Sequence, residues 1–391
     1  MMSSVNSQEQ FWKCVKKASF RKFQPRNNIS LDTWFQHFKI LLEKDSLDNS
    51  FSTFEADEEA DEYFDSPISK EEILQALRKL KNNKAAGPDQ IIGELLKNGG
   101  DNVVLFFLKL FNKIFDDGVF PDNWTESVIL TLYKKGDVDN PSNYRGISLS
   151  DISSKLYSAI INNRLQEWVM VNDITGEYQA GFKRGYSTID HMFTLLAFVQ
   201  KQFSYNRKLY VAFIDFEKAF DSVNRNLLWP ILLKNGVKGK LLQCLRAMYH
   251  NVKCRIRCGA KLTDLIDSTT GVKQGDVCSP LLFSVFINEL AIEVINNGRH
   301  GATFPYDLME LFILLLADDI ILLAETVVGL QRQLNSLSSA AASLDLKVNL
   351  DKSNIIVFRK GKKIKENKKW MYNGAVMPVV NAYKYLGICF S

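Results

Sequence analysis

The sequence predicts a fold in which a largely helical first half is followed by an α/β sheet that helices cover on one face. Between residues 209 and 358, short apolar runs typical of strands alternate with amphipathic helical patterns. Before residue 209 helical patterns dominate, and one of them opens with a capping box at Ser69 and Glu72. At 391 residues the chain is long enough for two or three subdomains with their own cores.

End signals mark the predicted helices in order. Ser30 is well placed to cap the first, and Gly118 follows the last turn of a later one, where glycine is common. Pro280 in the first turn and Gly298 just past the end mark a long apolar helix. Between the first two helices lies an acidic run, residues 54–65, which we interpret as a solvated linker.

Composition narrows the functional classes. The net charge of +5 is mildly basic and permits a polyanionic partner without requiring one. Basic clusters at residues 16–26, 134–137 and 358–369 favour phosphate contact, because they flank the same predicted cleft. No run of about 18 uninterrupted apolar residues predicts a membrane-spanning helix, and the N-terminus has no signal-peptide pattern. We therefore expect an intracellular protein with no membrane partner.

The six cysteines show no paired spacing, so we expect reduced thiols. Cys244, His250, Cys254 and Cys258 suggest a zinc site at first sight. However, the last two lie in a predicted strand, where residues four apart are separated by about 13 Å. Zinc–sulfur bonds are only about 2.3 Å long, so one ion is not expected to bind both thiolates.

Two carboxylate motifs carry the chemical prediction. In AFIDFEKAFD, Asp215 ends an apolar strand, and Asp221 follows six positions later. A strand-ending carboxylate suits a hard cation, although capping of the next turn explains Asp215 equally well on its own. In LLLADDIILLA, Asp318 and Asp319 interrupt an apolar run where a hairpin would turn. Charges in such a run are unfavourable unless they are paired or coordinated, so a functional role is favoured there.

The two motifs reinforce each other if their strands are neighbours in one sheet. Clustered carboxylates repel each other strongly unless a cation lies between them. Two metal ions held in this way assist in-line displacement at phosphorus, because one activates the attacking oxygen and the other stabilises the leaving group. The sequence therefore predicts a two-metal phosphoryl-transfer centre.

An ordered series of motifs resembles the reverse transcriptases of non-LTR (LINE-type, jockey-like) retrotransposons. Nine matching strings occur in the family's order, which makes the resemblance very specific. They are KAAGPDQIIGELLK, FPDNWTESVILTLYKKGD, NYRGISLSDISSKLYSAIINNRL, EYQAGFKRGYSTIDH, AFIDFEKAFDSVNR, GVKQGDVCSPLLFSVFIN, LADDIILLA, LKVNLDKSNIIVF and AYKYLGICF.

The resemblance implies an α+β, right-hand polymerase fold. Helical fingers would span residues 67–205, and a palm with an antiparallel split βαβ-type sheet would span residues 206–391, with the reverse transcriptase domain starting at about residue 115. Residues 1–66 would form a helical N-terminal extension and the acidic linker. The thumb is expected to be largely absent, so that a thumb or endonuclease module would come from another chain.

The resemblance also implies roles for single residues. The catalytic carboxylates would be Asp215, Asp318 and Asp319, which would hold two Mg²⁺ ions, or Mn²⁺, together with the Phe216 backbone carbonyl. Contacts to the incoming deoxynucleoside triphosphate are expected from Lys134 or Lys135, Arg145, Phe220, Gln274, Gly275 and Lys352. Contacts to the RNA template and DNA primer are expected from Tyr178, Gln179, Phe182, Arg184 and Leu316.

Physical reasons accompany several of these roles. The planar fork of Arg145 suits a phosphate, and Gly275 allows close backbone approach. The ring of Phe220 would exclude a 2′-hydroxyl, although an ordinary core phenylalanine fits the sequence as well. Lys352 would help to protonate the leaving pyrophosphate. Leu316 departs from the family, which usually has an aromatic residue there, and this favours the alternative of a remnant that binds nucleic acid without turnover.

Overall fold

The structure, a computed structural model, describes residues 25–44, 63–297, 301–303, 310–361 and 369–391. Most of the predicted N-terminal extension and acidic linker lies outside these ranges, as do Gly298 and most of the first and third basic clusters. The helices are α1 Leu31–Leu42, α2 Lys70–Lys79, α3 Gly93–Lys97, α4 Gly100–Asp117, α5 Asp122–Thr125, α6 Ile152–Val171, α7 Thr188–Ser204, α8 Arg225–Lys234, α9 Gly239–Met248, α10 Ser279–Asn297 and α11 Val327–Ser343. Short 3₁₀ helices span Pro141–Asn143 and Ala219–Ser222.

Strands concentrate after residue 125. They are β1 Glu126–Tyr133, β2 Tyr144–Leu149, β3 Leu209–Ile214, β4 Lys253–Cys258, β5 Lys261–Leu262, β6 Ile266–Asp267, β7 Ala302–Thr303, β8 Glu310–Leu311, β9 Ile313–Leu316, β10 Asp319–Ala324, β11 Asn354–Phe358, β12 Trp370–Tyr372, β13 Ala375–Met377, β14 Tyr383–Tyr385 and β15 Ile388–Phe390. This order confirms the predicted α+β class.

The helix-end signals act as expected. The Ser30 side chain accepts a hydrogen bond from the Thr33 amide at the start of α1. Ser69 and Glu72 form the predicted capping box at the start of α2, in which each side chain satisfies a free amide at the helix terminus. Gly118 ends α4 in the left-handed conformation, with a φ of 64°.

Five strands form sheet A, in the order β2-β1-β4-β5, with β6 also paired to β4. The β1–β2 pair is antiparallel and the β1–β4 pair is parallel. Helix α1 packs on one face, where Trp34 and Phe38 belong to one hydrophobic cluster with Ile129 and Ile256, and Trp34 meets the Tyr144 ring edge-on at 5.0 Å. The predicted strand over residues 253–258 is confirmed as β4.

Four strands form sheet B, in the order β11-β3-β10-β9, and every pair in it is antiparallel. One face packs on α10 and α11 in the main core. The prediction that helices cover only this face was wrong, because the other face is buried too. Phe198 of α7 and Tyr385 and Phe390 of the β14–β15 hairpin pack against it. All six residues of β3 are buried as a result.

Helix α10 lies at the centre of the main core, between α8 and α11. Among the described residues it is the one helix that is long and apolar enough, by length and composition, to cross a bilayer. Of its most apolar stretch, 67% is buried inside the protein. A core helix covered on all sides needs the same composition as a membrane span, which explains why the composition does not distinguish them.

Candidate active site

The end of β3 and the start of β10 bring the predicted carboxylates together. The two strands pair with Ile214 opposite Ile320, so Asp215, just past β3, lies across from Asp319, the first residue of β10. Burial, followed by the charges of Asp318 and Asp215, raises the pKa of Asp319 to about 6. Burial and then the Asp215 charge raise the pKa of Asp318 as well. Asp215 therefore lies within electrostatic reach of Asp318 and Asp319, from which it is remote in sequence.

Asp215 is held by its backbone, and its carboxylate is left without a hydrogen bond on one side. The Asp215 amide donates to Ser353 Oγ at 3.1 Å, and its carbonyl accepts from the Asn349 amide at 2.8 Å. Oδ2 of Asp215 is buried without a hydrogen bond. Lys352 Nζ lies 3.3 Å from that oxygen and forms an ion pair with it. The backbone is therefore fixed, and the carboxylate oxygen that has no hydrogen bond is paired with a cationic side chain.

Phe216 continues the chain past Asp215 and forms an isolated antiparallel bridge with Val348. The flanking bonds run from the Glu217 amide to the Lys347 carbonyl and from the Asn349 amide to the Asp215 carbonyl. In such a pair the bridged residues' own carbonyls point away from each other. The Phe216 carbonyl consequently points to the side of β3 on which β10 begins, as its predicted role requires.

The β9–β10 hairpin turns through Ala317 and Asp318, and Leu316 pairs with Asp319 on either side. Ala317 has a φ of 57°, a left-handed conformation that is unfavourable for a residue with a Cβ. The turn is therefore one residue earlier than an Asp-Asp turn. Asp318 lies at its tip and Asp319 opens the strand, so adjacent aspartates occupy different environments.

Three cations face these carboxylates. Desolvation, followed by the charges of Arg145 and Lys352, lowers the pKa of Lys134, while the Asp221 and Asp318 carboxylates act in the opposite direction. Lys134 is therefore the member of the Lys134–Lys135 pair that the structure brings to the site. Both lysines are exposed at the turn that follows β1, so the difference between them lies in the charges that Lys134 meets.

Gln274 and Gly275 join the site to sheet A. Gln274 Nε2 donates to both carboxylate oxygens of Asp221, at 2.8 and 2.9 Å. The backbone carbonyl of Gln274 accepts from the Ser148 amide at 2.7 Å. Gly275 has a φ of 113°, and a Cβ there would lie 2.8 Å from the Ser148 carbonyl oxygen. The predicted close backbone approach at Gly275 is thus present, although it is made to β2.

Sequence reasoning noted Asp221 but assigned it no role. Burial raises its pKa to about 6, against the opposing effects of the Gln274 hydrogen bond and of the cations Lys218, Lys134 and Arg145. The available signal was the spacing in AFIDFEKAFD, which places a second carboxylate on the 3₁₀ turn after β3.

Aromatic rings line the site beside Asp221. Phe220 stacks on Phe283 of α10 with ring centroids 4.3 Å apart and an interplanar angle of 16°. Phe182 meets Phe220 edge-on at 6.0 Å and is 49% exposed. The Phe220 ring is half-buried, so it combines a core contact with a surface on the site.

The residues predicted to contact the template are not all available to it. Gln179 is fully buried, so its predicted template contact is wrong, and its amide oxygen is instead bonded to the Gly181 and Ala317 amides. The Tyr178 hydroxyl donates inward to Asn288 at 3.0 Å. Arg184 is exposed, and Leu316 is half-buried beside Asp319. For these two, contact with nucleic acid stays a prediction.

Within the described ranges, no three His, Cys, Asp or Glu side chains close around a point that would hold a metal ion. Asp215, Asp318 and Asp319 are therefore adjacent without forming a ready-made cage. Their chemistry nevertheless fits a hard divalent cation, because the side-chain donors are carboxylate oxygens and the Asp215 oxygen that has no hydrogen bond already attracts the positive charge of Lys352.

Comparison with known proteins identifies a family and several relatives that this chain resembles. The profile of the family "Reverse transcriptase (RNA-dependent DNA polymerase)" matches residues 133–390. The "Probable RNA-directed DNA polymerase from transposon BS" of Drosophila melanogaster is 30% identical over 304 residues, 73% of this chain and 32% of that protein. The "RNA-directed DNA polymerase from mobile element jockey" of the same species is 25% identical over 350 residues, 84% and 37% of the two chains. The apo telomerase of Candida tropicalis, truncated from the C-terminal domain, aligns with a TM-score of 0.45 at 15% identity, covering 73% of this chain and 63% of that one.

The profile covers more than half of the chain, and the mixed helices and antiparallel sheet agree with a right-hand polymerase fold. The chain belongs to the reverse transcriptase family, and its relatives group it with the enzymes of non-LTR retrotransposons. It spans about a third of the length of the first two curated relatives.

Proposed function

We propose that this chain carries the RNA-directed DNA polymerase activity of a non-LTR retrotransposon. It would transfer a deoxynucleotide to a primer 3′-hydroxyl opposite an RNA template and release pyrophosphate. The observation that carries the proposal is the meeting of Asp215 with the Asp318–Asp319 turn at one end of sheet B. Burying like charges side by side is unfavourable, and a bound cation relieves that repulsion.

Asp215, Asp318, Asp319 and the Phe216 carbonyl would hold two Mg²⁺ ions, or Mn²⁺. When bound, such a pair of ions supplies Lewis-acid activation of the attacking and leaving oxygens. The ion pair of Lys352 with Asp215 would have to open for cation binding, which leaves Lys352 free to donate a proton to the departing pyrophosphate.

The remaining roles concern the nucleotide. Lys134 and Arg145 would bind the triphosphate, since both lie within electrostatic reach of Asp318. Phe220 would support the sugar of the incoming nucleotide, and its stack on Phe283 holds the ring in place. Gln274 and Gly275 would border the base and the template, with Gln274 oriented by Asp221. Phe182 and Arg184 would contact the template by stacking and by charge.

The proposed domain division follows from the same roles. Residues 67–205 would be the fingers, which contain Lys134 and Arg145, and residues 206–391 would be the palm, which contains the carboxylates of sheet B. Sheet A would be shared by the two, because β4, β5 and β6 lie in the second range. Residues 1–66 would be an extension; α1 within it packs on sheet A. The RNA template, DNA primer and deoxynucleoside triphosphates are the proposed partners. The intracellular location stays a prediction.

A second candidate function is binding of nucleic acid without turnover. The observation in its favour is that the three carboxylates do not close around a metal position as they stand, within the part of the chain that the structure describes. A protein of this kind would bind a primer–template hybrid through its cations, with an affinity that falls steeply as salt rises.

Primer extension separates the two functions. Purified protein given poly(rA), an oligo(dT) primer, labelled dTTP and Mg²⁺ is expected to incorporate label. Asp318→Asn keeps the volume of the side chain but removes its charge, and is expected to lower incorporation by about 1,000-fold or more, because several kcal/mol of transition-state stabilisation are lost.

Asp351→Asn is the matched control, since Asp351 is an exposed carboxylate on the loop beside Lys352. It is expected to leave incorporation unchanged. Folded wild-type protein that binds the hybrid in a salt-dependent manner but incorporates nothing would reject the polymerase and favour the second function.

A further inference from the structure

The segment Tyr178–Gly181, which we call the brace, lies along the free edge of β9. Gln179 forms a parallel bridge with Leu315. The Leu315 amide donates to the Tyr178 carbonyl at 2.8 Å, and the Ala180 amide donates to the Leu315 carbonyl at 2.9 Å. The brace thus extends sheet B by one short strand, next to the hairpin that ends in the Ala317–Asp318 turn.

Helix α10 holds the brace from the other side through two buried polar residues one helical turn apart. The Tyr178 hydroxyl donates to Asn288 Oδ1 at 3.0 Å, and Ser284 Oγ donates to the Gly181 carbonyl at 3.2 Å. Asn288 Nδ2 also donates to the Ile174 carbonyl at 2.7 Å. These bonds fix the brace relative to the core helix, so its position does not depend on the hairpin alone.

The Gln179 side chain connects the brace to the turn. It is fully buried, and its Oε1 accepts from the Gly181 amide at 2.7 Å and from the Ala317 amide at 3.4 Å. Its Nε2 has no hydrogen-bond partner. An unpaired buried donor destabilises a fold, so this nitrogen does not explain why a glutamine is present. The polar atom in use is the oxygen that reaches Ala317.

Ala317 needs such a partner, because it is left-handed with a φ of 57°. Strain of this kind persists only where the surroundings hold it. The brace also approaches closely here, since a Cβ on Gly181 would lie 2.2 Å from the Ala317 nitrogen. Asp318 follows Ala317 directly, so a contact that fixes the Ala317 amide also fixes the backbone from which the Asp318 side chain extends.

We propose that Gln179 is a positioning residue that holds the strained turn and thereby places the Asp318 carboxylate. This assignment rests on the proposed polymerase function for its effect on the reaction. The hydrogen bonds of the turn itself do not depend on that function.

The test substitutes Gln179→Met, which fills the same space without the oxygen. In primer extension, kcat is expected to fall by about 10- to 100-fold, because a small displacement of a reacting group has an effect of that size. KM for dTTP is expected to stay within about twofold, since Gln179 does not reach the nucleotide cations. A purely structural role would lower the thermal midpoint without this split between kcat and KM.

Gln333→Met is the matched control. Gln333 is equally buried, also has one amide atom without a partner, and donates to the Leu323 carbonyl towards the opposite end of β10. It is expected to lower the thermal midpoint as Gln179→Met does while leaving kcat unchanged. Equal kcat values for the two variants would overturn the positioning role.

Amide hydrogen exchange of the wild-type protein separates this proposal from the proposed function. The Ala317 amide is expected to exchange on the order of 100-fold more slowly than in an unfolded peptide, and Gln179→Met should remove that protection. Exchange at the unprotected rate in folded wild-type protein would overturn the proposal, even if Gln179→Met does not fold. A protected Ala317 amide in a protein that incorporates nothing would reject the polymerase and leave the turn contact standing.

Discussion

Sheets A and B differ in where they place charge and in how firmly they hold it. Sheet B is buried on both faces and ends in the carboxylates of Asp215, Asp318 and Asp319. Sheet A is covered by α1 on one face, and Arg145 at its edge strand is exposed. The acids are thus fixed by packing, whereas the side chains of Lys134 and Arg145 are exposed to solvent and are less constrained by neighbours. A fixed acidic centre suits a resident cation, while adaptable cations suit a substrate that enters and leaves.

The largest effect on stability is expected inside sheet B. Leu322 is fully buried and pairs with Ala212 and Ile313, so Leu322→Ala should lower the free energy of unfolding by about 2–5 kcal/mol through lost burial and a cavity. Leu132→Ala, in sheet A, removes a side chain that is 42% exposed and should lower the free energy of unfolding by only about 0.5–1 kcal/mol. Urea denaturation measures both, and equal losses would contradict the difference between the sheets.

The next effect concerns the cations. Lys134 and Lys135 are both exposed on the turn after β1, and Lys134 lies within electrostatic reach of Asp318 and Arg145. Lys134→Ala is therefore expected to raise KM for dTTP about tenfold or more, as expected for a lost hydrogen bond to a charged group. Lys135→Ala serves as the control, with a change of about twofold or less. The reverse order in steady-state primer extension would assign the triphosphate contact to Lys135.

The smallest effect concerns Asp221, an acid that links the two sheets through Gln274. Burial raises the pKa of Asp221 from 3.8 to about 6, so the folded state binds its proton more tightly than the unfolded state does. The free energy of unfolding therefore falls as the pH rises from about 4 to about 6, and stays lowered above that. Asp221→Asn removes this loss and keeps an oxygen for Gln274.

Asp221→Asn should thus raise stability at pH 7 by about 1–2 kcal/mol, allowing for the partial exposure of the carboxylate. At pH 4 the two proteins should be nearly equal. Urea denaturation across this range provides the measurement. A stability difference between the two proteins that does not change with pH would show that Asp221 is not destabilised by burial.

Much of this arrangement could be predicted from local sequence. Asp215 follows an apolar strand, and Asp318 and Asp319 interrupt another, so the acidic positions were recognisable, whereas the antiparallel sheet was implied by the resemblance to non-LTR reverse transcriptases. The N-terminal signals at Ser30 and Ser69 were also sufficient to locate their helices, because capping depends on neighbouring residues only.

The parts that failed depend on distant segments. Gln179 looks like an accessible polar residue in its own sequence, and it is buried only because β9 and α10 pack on the brace. The left-handed Ala317 was equally hidden, since alanine has no local preference for that conformation. The second covered face of sheet B comes from α7 and from residues 383–390, which no strand periodicity indicates.

The close approach at Gly181 affects how one decides whether a related sequence still encodes a working site. A single added methyl group there would press against the Ala317 nitrogen and act as a wedge between two segments that must stay in contact. A chain with Gly181→Ala would retain every acid and every cation named above, and yet its hairpin would be displaced. A test that looks only for the aspartates would classify that sequence as functional. A test that also looks at Gly181, 137 positions before Asp318, would not.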